Sequence, residues 1–465
     1  MKSASRGSGA RLERVELPDF GMPDAMPEIP AATYAARLDE LRERMAQRGL
    51  QRLLVYADRE HSANMAFLTG FDPRFEEALL VIGPAAAPAV LVGNENYGTA
   101  GAAPLRMRRH LFQDFSLPGQ PRDRSEPLSD ILEGEGIGAS VRVGLIGWKT
   151  YSGPLLSDLP AYLVDEVRAL VGSSVQVENA TDLLIDPADG LRVINDVDQL
   201  AFLEWAACHT SEGVKRLVFG LGQVVGSTEQ EAVQLLRWNG TPLSCHLMLT
   251  AGPRATYGLL SPSDRRIERG DRFTTAFGIW GALNCRAGFI VEDAAQLPHE
   301  IDDYVDRLVG PYFEAIADWY GALRIGQAGG ALHEIIARRL ADPFFGIFLN
   351  PGHQIHLDEW VNSPVWQDSP IELRSGMAMQ VDVIPATGTP YFTTNIEDGI
   401  GFADQALRRQ LAERYPGAWR RIEARRNFMA NALGVELHPD VLPFSNIPAY
   451  LPPFLLAPDH AMVVA

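Results

Sequence analysis

Toward the C-terminal end of the chain, one histidine and two acids stand where strands of a single sheet would bring them together. His353 directly follows Gly352. Asp382 lies near the end of the apolar run 376–384, and Glu397 lies in a further short apolar run. A carboxylate beside an imidazole raises the pKa of the imidazole and fixes its tautomer, which suits the pair to proton transfer. We therefore predict hydrolase-like chemistry, with His353 as general acid/base and with Asp382 and Glu397 orienting it or activating water.

Five further side chains are candidates for contact with a substrate. A guanidinium offers two parallel donors to a carboxylate, so Arg286 and Arg254 are predicted to grip an acidic group, with a surface position as the alternative. Cys285 would be a nucleophile if a base lowered the pKa of its thiol, and an inert buried thiol otherwise. His356 would add a second imidazole or cap a strand. Asp358 would line the pocket or accept a hydrogen bond from a loop amide.

The elements that must position these residues follow from hydrophobic periodicity. From residue 189 onward the chain reads as long helices with strand-like runs between and after them. Helices are predicted at 196–219, 301–323 and 331–340, and strands at 273–277, 289–291, 376–384 and 396–400. A sheet backed by helices is the expected arrangement, so the segment 189–465 is predicted to be an α+β domain.

The chain before that domain has a different texture. Residues 1–30 contain several prolines and glycines without a helical period, which indicates an extended arm. Between residues 31 and 188, short apolar runs such as 53–56 and 78–82 are mixed with helical stretches, as is typical of a small α/β domain. The sequence therefore predicts three parts, namely the arm (1–30), the α/β domain (31–188) and the α+β domain (189–465).

Composition and charge exclude several classes of protein. The chain has 465 residues, of which 46% are hydrophobic. Its apolar runs are shorter than the roughly 20 residues that span a bilayer. The formal charge of −18 opposes binding to phosphate backbones and anionic lipid. The N-terminus lacks the apolar segment of a secretory signal, and three widely spaced cysteines fit a reducing compartment. We therefore predict a cytoplasmic protein that binds neither nucleic acid nor membrane.

Short motifs in both domains occur in an order that has a family precedent. The segment 65–71 is similar to a Tyr-Leu-Thr-Gly-Phe signature, and the segment 74–81 matches the strand that follows it. The segment 270–277 resembles the start of a metal-bearing hairpin, and the pair 352–353 resembles a Gly-His motif. In these features the chain resembles the creatinase/aminopeptidase P/prolidase superfamily, over nearly all of residues 31–405.

The resemblance implies a fold and an assembly. The catalytic domain of this superfamily has the pita-bread fold. The chain is therefore expected to be α+β, with a pita-bread catalytic domain preceded by a smaller creatinase-type α/β domain. In dimers of the family, a residue of the small domain can reach the neighbour's active site, and Arg74 resembles that position. A homodimer with Arg74 near the substrate is thus expected, and a surface ion pair is the alternative for Arg74.

The resemblance also bears on metal binding. Metallopeptidases of this superfamily hold two divalent ions with two Asp, one His and two Glu. The two Asp fall on Ala276 and at or beside Cys285, so neither acid is present. The other three positions fall on His353, Asp382 and Glu397. Two neighbouring cations need several carboxylates to offset their repulsion. We therefore predict no cofactor, with one divalent ion on the three retained residues as the alternative.

The function implied by the resemblance follows from these losses. Creatinase belongs to the same superfamily and works without metal, but the upstream histidine that it retains is absent here around residues 258–259. A later His-Glu pair is replaced by Trp360 and Val361. The chain is predicted to cleave a C–N bond in a small polar molecule or short peptide without a dinuclear metal centre. The alternatives are a mononuclear metal-dependent Xaa-Pro-type peptidase and a catalytically inactive pita-bread binding protein.

Overall fold

The computed structural model describes residues 9–464, which form two compact units. The smaller unit is Ile29–Arg192. The larger unit consists of the described residues up to Glu28 together with those from Val193 onward. Residues 1–8 of the predicted N-terminal arm lie outside the described part of the chain.

The smaller unit is built around a six-stranded mixed sheet. The first strand of the chain, β1 (Ala10–Arg14), belongs to the larger unit. The strands of the smaller unit are β2 (Arg52–Ala57), β3 (Ala78–Ile82), β4 (Ala89–Val92), β5 (Arg108–Leu111), β6 (Val143–Ile146) and β7 (Glu178–Asn179). The strand order is β5-β4-β3-β2-β6-β7, in which β2 pairs antiparallel with β3 and parallel with β6. Its helices are α1 (Ala31–Gln47), α2 (Ala63–Thr69), α3 (Asn96–Thr99), α4 (Leu128–Gly134), α5 (Ala161–Val171) and α6 (Asp182–Ile185).

Both faces of this sheet are buried, and one apolar cluster of the core lies on a single face. Alternate residues of β2, Leu54 and Tyr56, are buried in the same apolar cluster as Leu79 of β3. Leu163 and Val167, which are four residues apart on α5, belong to the cluster as well. Periods of two in the strands and of about four in the helix are the patterns expected for a helix packed on a sheet.

The larger unit carries a seven-stranded antiparallel sheet. Its strands are β8 (Met248–Ala251), β9 (Arg272–Ile279), β10 (Ala282–Phe289), β11 (His353–Gln354), β12 (Ala378–Asp382), β13 (Asn395–Phe402) and β14 (Val441–Pro443). The order is β11-β12-β13-β10-β9-β8, and β14 also pairs with β13. A separate strand, β15 (His460–Val464), pairs with β1. The helices are α7 (Val197–Val224), α8 (Glu229–Ala232), α9 (Gly310–Ala322), α10 (Gly329–Arg339), α11 (Gln405–Arg414) and α12 (Pro416–Ala432).

The hairpin of β9 and β10 occupies the middle of this sheet. Its two-residue turn at 280–281 places Gly281 at a φ of 101°, a conformation that glycine adopts at low cost. Helix α7 packs on one face of the hairpin. Gly213 permits this approach, since a Cβ at that position would lie 3.1 Å from the ring of Phe277. Side chains on this face of the hairpin are therefore part of the core.

The predicted α+β class is confirmed, and the differences are local. The predicted helix 301–323 is interrupted, because it begins as a π-helical turn at 305–309 and continues as α9. Pro311 at the start of α9 has no N–H to donate to the preceding turn, which accounts for the irregularity. The strand predicted at 289–291 is only the end of β10 at Phe289. In residues 9–464, every helix is too short or too polar to cross a bilayer.

Candidate functional site

One residue from each of five neighbouring strands forms a straight row across the larger sheet. Directly paired residues of antiparallel strands project to the same face. The pairings place on one face, in order from β8 to β12, the residues Met248, Ala276, Cys285, Glu397 and Asp382. We call these five residues the site row.

His353 stands beside the acidic end of the site row. It opens β11, which pairs with β12, the strand that ends in Asp382. Its Nε2 lies 3.5 Å from Oε1 of Glu397 and 3.9 Å from Oδ2 of Asp382. Gly352 enters the strand at a φ of 111°, and a Cβ there would lie 2.9 Å from the ring of Trp319. The structure thus brings the three predicted catalytic residues together, while their roles stay predictions.

A fourth charged residue, Glu359, joins this cluster and was missed by the sequence analysis. Its Oε1 lies 3.3 Å from Nε2 of His353. The chain reverses after β11 through two backbone hydrogen bonds, in which Gln354 N–H donates to Asn362 O and Val361 N–H donates to Gln354 O. The reversal returns Glu359 to the histidine. The sequence signal was weak, because only an acid a few residues after a Gly-His pair marked the position.

The imidazole of His353 is held in one orientation and one tautomer. The ring of Trp360 stacks on it, with centroids 4.1 Å apart and planes at 13°. Its Nδ1 lies 3.2 Å from the carbonyl oxygen of Gln354, which can only accept a hydrogen bond, so Nδ1 carries the proton. In the neutral ring the lone pair is then on Nε2, which is buried and makes no hydrogen bond within residues 9–464. An acceptor nitrogen that faces carboxylate oxygens is oriented as a metal ligand.

Buried negative charge gathers around this nitrogen. Burial raises the pKa of Asp382 well above its usual value, and the carboxylate of Glu397 raises it further. Burial likewise raises the pKa of Glu397, with added contributions from Glu359 and Asp398. Oδ1 of Asp382 makes no hydrogen bond in the described part of the chain. Buried acids this close together are costly until a cation or protons neutralise them.

This cluster fits one divalent ion, and the prediction of no cofactor is therefore wrong. Ligand atoms of His353, Glu359 and Glu397 all lie within 4.8 Å of one another. Imidazole nitrogen and carboxylate oxygen are donors suited to divalent first-row metals. The prediction counted only positions carried over from the family, two of which have lost their acids, and so it overlooked Glu359. The alternative ion site on His353, Asp382 and Glu397 named two of these three residues.

Cys285 lies in the site row next to Glu397, and its surroundings oppose ionisation of its thiol. Burial raises the pKa of the thiol well above its usual value, and the carboxylates of Glu397 and Asp382 raise it further. The Nδ2 of Asn395 donates to the sulfur at 3.1 Å. A nucleophilic cysteine needs the opposite environment, in which its pKa is lowered. The structure favours the neutral-thiol alternative.

Arg286 projects to the face opposite the site row, because it follows Cys285 directly in β10. It is 2% exposed and its Nη2 lies 2.8 Å from Oδ2 of Asp398. The same guanidinium donates to the backbone oxygens of Ile447 and Tyr450. The structure does not bring Arg286 to the cluster, and its donors serve a buried structural network.

Arg254 and Arg74 also have carboxylate partners within their own units. Arg254 Nε donates to Oε2 of Glu229 at 3.3 Å, and its Nη2 donates to Ser261 O at 2.9 Å. Arg74, in the smaller unit, pairs with Asp72 at 2.8 Å, which is the surface ion pair given above as its alternative. Their predicted contacts with a substrate stay predictions.

His356 and Asp358 belong to the same chain reversal as Glu359. His356 is fully buried, and its backbone N–H donates to the backbone oxygen of Asp358 at 3.2 Å. Asp358 is half-buried. Both residues are therefore near the cluster along the chain, and their proposed contacts with a substrate remain predictions.

Comparison with known proteins gives a result for structure only. No family model and no curated protein matches the sequence. A prolidase from Pyrococcus horikoshii OT3 is 16% identical with a TM-score of 0.60, over 79% of this chain and 95% of that chain. The dipeptidase PepE from Mycobacterium ulcerans is 16% identical with a TM-score of 0.60, over 93% of this chain and 99% of that chain. An X-Pro aminopeptidase from Thermotoga maritima MSB8 is 16% identical with a TM-score of 0.57, over 78% and 96%.

These neighbours cover both units and nearly the whole of their own chains. At this level of identity the likeness establishes architecture. It confirms, at the level of the fold, the resemblance inferred from the motifs, because a prolidase, a dipeptidase and an X-Pro aminopeptidase share the arrangement. The chain therefore shares the α+β architecture of these structures, with the pita-bread domain that the resemblance implied.

Proposed function

We propose that this protein is a hydrolase that cleaves an amide-type C–N bond in a short peptide or similarly small polar molecule, using one divalent ion held by His353, Glu359 and Glu397. The observation that carries the proposal is the convergence of these three ligand atoms around a buried imidazole nitrogen. The structural neighbours described as a prolidase, a dipeptidase and an X-Pro aminopeptidase support a peptide-type substrate.

The residues of the cluster divide the work between holding an ion and moving a proton. When bound, a divalent ion polarises a carbonyl and lowers the pKa of water. His353, Glu359 and Glu397 would hold the ion. Asp382 follows Glu397 in the site row, and its Oδ1 has no hydrogen-bond partner within residues 9–464. Because burial raises the pKa of this carboxyl, we assign Oδ1 as the atom that carries a proton to the leaving nitrogen.

Metal titration tests the ion site. Purified protein is stripped with a chelator, dialysed and titrated with Mn²⁺, Co²⁺ or Zn²⁺ by isothermal titration calorimetry. One ion per chain is expected. Glu359→Gln removes one charged ligand and is expected to weaken binding by about tenfold or more. Glu300→Gln, which changes an exposed acid of the same unit, is the matched control and is expected to leave the affinity unchanged.

Turnover tests the hydrolase. A panel of dipeptides with and without proline in the second position is incubated with ion-loaded protein, and release of amine is measured. Activity on part of the panel is expected, with loss on chelation and in His353→Ala. Uptake of two ions per chain, or of none, contradicts the mononuclear site. Uptake of one ion without turnover of any dipeptide contradicts peptide hydrolysis and favours a binding protein.

A further inference from the structure

A buried side-chain amide beside the cluster has an oxygen without a partner. Asn395 opens β13 two residues before Glu397, so the two side chains project to the same face of the sheet. Asn395 is 3% exposed, and its Oδ1 makes no hydrogen bond in the part of the chain that the structure describes. A buried acceptor in this condition costs free energy until a donor reaches it. Asn395 therefore marks a place for a hydrogen-bond donor next to Glu397.

The amide of Asn395 is oriented by a contact with the site row. Its Nδ2 donates to Sγ of Cys285 at 3.1 Å. Burial raises the pKa of this thiol, so the sulfur stays neutral. With the amide nitrogen directed at Cys285, the oxygen is the end of the side chain that is left for another molecule. An amide oxygen can only accept, so its partner must carry an N–H or an O–H group.

Asn395 and His353 lie on opposite sides of Glu397. His353 pairs with Gln380, and Gln380 pairs with Gly399, which follows Glu397 by two residues. Asn395 precedes Glu397 by two residues. The imidazole thus reaches the proposed ion from the Gly399 side, and the Asn395 side is left for the substrate.

The position of Asp382 indicates which atom of the substrate Asn395 meets. Asp382 pairs directly with Glu397, so Asn395 and Asp382 are diagonal neighbours on β13 and β12, with Cβ atoms about 7 Å apart. A nitrogen that lies between them can contact both Oδ1 atoms. We propose that Oδ1 of Asn395 accepts a hydrogen bond from the N–H of the amide that is cleaved. The inference rests on the proposed function, because it takes Oδ1 of Asp382 as the atom that protonates this nitrogen.

This contact makes the protein selective for amides whose reacting nitrogen bears a hydrogen. A peptide bond to most residues has an N–H, whereas a bond to proline or to an N-methylated residue has a carbon in its place. That carbon would leave Oδ1 of Asn395 unpaired and would press against it. A site that hydrogen-bonds a group of its substrate rejects analogues that lack the group. Bonds before proline are therefore expected to be poor substrates.

Two chelators that differ only at the nitrogen test the contact. Acetohydroxamate has an N–H beside its carbonyl and N-methylacetohydroxamate has a methyl group there, while both bind a divalent ion through the same two oxygens. Calorimetry with the ion-loaded full-length protein is expected to show acetohydroxamate bound about tenfold more tightly. In Asn395→Ala, which removes the acceptor, this ratio should fall to about one. Asn395→Ser, which keeps a polar group beside Cys285, replaces it if the alanine variant does not fold.

Turnover provides the same comparison on a peptide bond. Glycylsarcosine is glycylglycine with a methyl group on the nitrogen of the peptide bond. In the unmodified protein, kcat/KM is expected to be about tenfold or more higher for glycylglycine, and the two values should be similar in Asn395→Ala. Ile396→Val is the matched control, because it changes the next residue of β13 on the opposite face and should keep both preferences.

Equal affinity of the unmodified protein for the two hydroxamates, or tighter binding of the methylated one, overturns the contact, since a water molecule alone would then fill the position. A preference that persists undiminished in a folded Asn395 variant overturns it as well. Failure of the proposed function is read separately. Uptake of no ion in the metal titration overturns that proposal and the contact with it, whereas one bound ion with equal hydroxamate affinities overturns only the role of Asn395.

Discussion

Two buried glutamates of the larger unit have opposite surroundings. Glu204, on α7, lies 2.6 Å from Nη2 of Arg421 and 2.8 Å from Nη1 of Arg425. Burial opposes its charge, but the two guanidiniums outweigh burial and lower the pKa of Glu204. Glu397, on β13, faces His353 and other acids. Burial raises the pKa of Glu397, and its acidic neighbours raise it further.

The difference separates charge that holds the fold together from charge that serves a site. The pairs of Glu204 join α7 to α12, two elements distant in sequence. Glu397 makes no comparable contribution to the fold, because a buried acid among acids is stabilised only when a cation arrives. Strongly perturbed acids without a structural counter-ion are typical of functional sites. The same Glu→Gln substitution should therefore lower the free energy of unfolding at position 204 and raise it at position 397.

The largest effect on stability is expected for Glu204→Gln. This change leaves two buried guanidiniums without their carboxylate, and breaking a buried ion pair from one side costs about 3–5 kcal/mol. The free energy of unfolding, measured by urea denaturation, should fall by that amount. Affinity for the divalent ion should be unchanged in the folded protein. A loss below about 1 kcal/mol would mean that the network is a weak, solvated one.

Glu397→Gln, the matched isosteric change, should act on the ion site and spare the fold. Affinity for Mn²⁺ or Zn²⁺ is expected to fall about 100-fold or more, because a direct ligand loses its charge. The free energy of unfolding of the ion-free protein should rise by about 1 kcal/mol, since one buried, repelled anion is gone. Calorimetry and urea denaturation give the two values. A marked loss of stability, as in Glu204→Gln, would contradict the comparison.

The pH dependence of stability should also differ between the two regions. Asp382 and Glu397 have raised pKa values in the folded protein. Their contribution to the free energy of unfolding is therefore most favourable below the pKa of the unfolded chain, about 4, and is lost as pH rises through their folded-state pKa values. Glu204 has a lowered pKa, so its contribution is present above about pH 4 and is lost as pH falls through the folded value.

Ion-free protein is therefore expected to lose stability as pH rises above about 4 and through the raised pKa values of Asp382 and Glu397, and saturating Mn²⁺ should suppress that loss by neutralising the acids. Urea denaturation at a series of pH values measures the slope of the free energy of unfolding against pH. The slope should be smaller in Glu397→Gln and unchanged in Glu204→Gln, whose titration lies at lower pH. Equal slopes with and without Mn²⁺ would show that the acids of the cluster do not control stability in this range.

Much of the fold and part of the site could be predicted because the signals were local. The apolar runs that end near Asp382 and contain Glu397 are strands, and the Gly-His pair does open a strand beside them. The face of Arg286 was predictable as well. Strand alternation places the side chain of Arg286 on the face opposite Cys285. The prediction that Arg286 binds the substrate rested on its guanidinium group and did not use this alternation.

Other contacts depend on chain reversals and distant partners that no local pattern encodes. Glu359 reaches His353 only because backbone hydrogen bonds close the loop between Gln354 and Asn362. Arg286 meets Asp398, 112 residues further along the chain, and this pairing occupies the guanidinium. The prediction of no metal was therefore wrong, because it considered the two acids missing from the expected positions and not Glu359, which a loop brings to the cluster.

The smallest effect is expected at Arg254, where a buried glutamate relies mostly on neutral donors. Glu229 accepts from the backbone N–H groups of Ala251 and Ser263, both at 2.8 Å, and from Arg254 at 3.3 Å. The side chain of Arg254 is 32% exposed, so Arg254→Gln is expected to cost less than about 1 kcal/mol in urea denaturation.

The same variant separates a structural arginine from one that grips a substrate. If Arg254 only supports the loop that carries Ala251 and Ser263, KM for a dipeptide should be unchanged while stability falls slightly. If it binds the substrate carboxylate, KM should rise about tenfold or more with stability unaltered. A dipeptide amide, which lacks the terminal carboxylate, is the control substrate, because its KM should then be insensitive to Arg254→Gln. If Arg254 does bind the carboxylate, its pair with Glu229 differs from the surroundings of both Glu204 and Glu397. In that pair a partly exposed cation would contact a buried glutamate and the substrate.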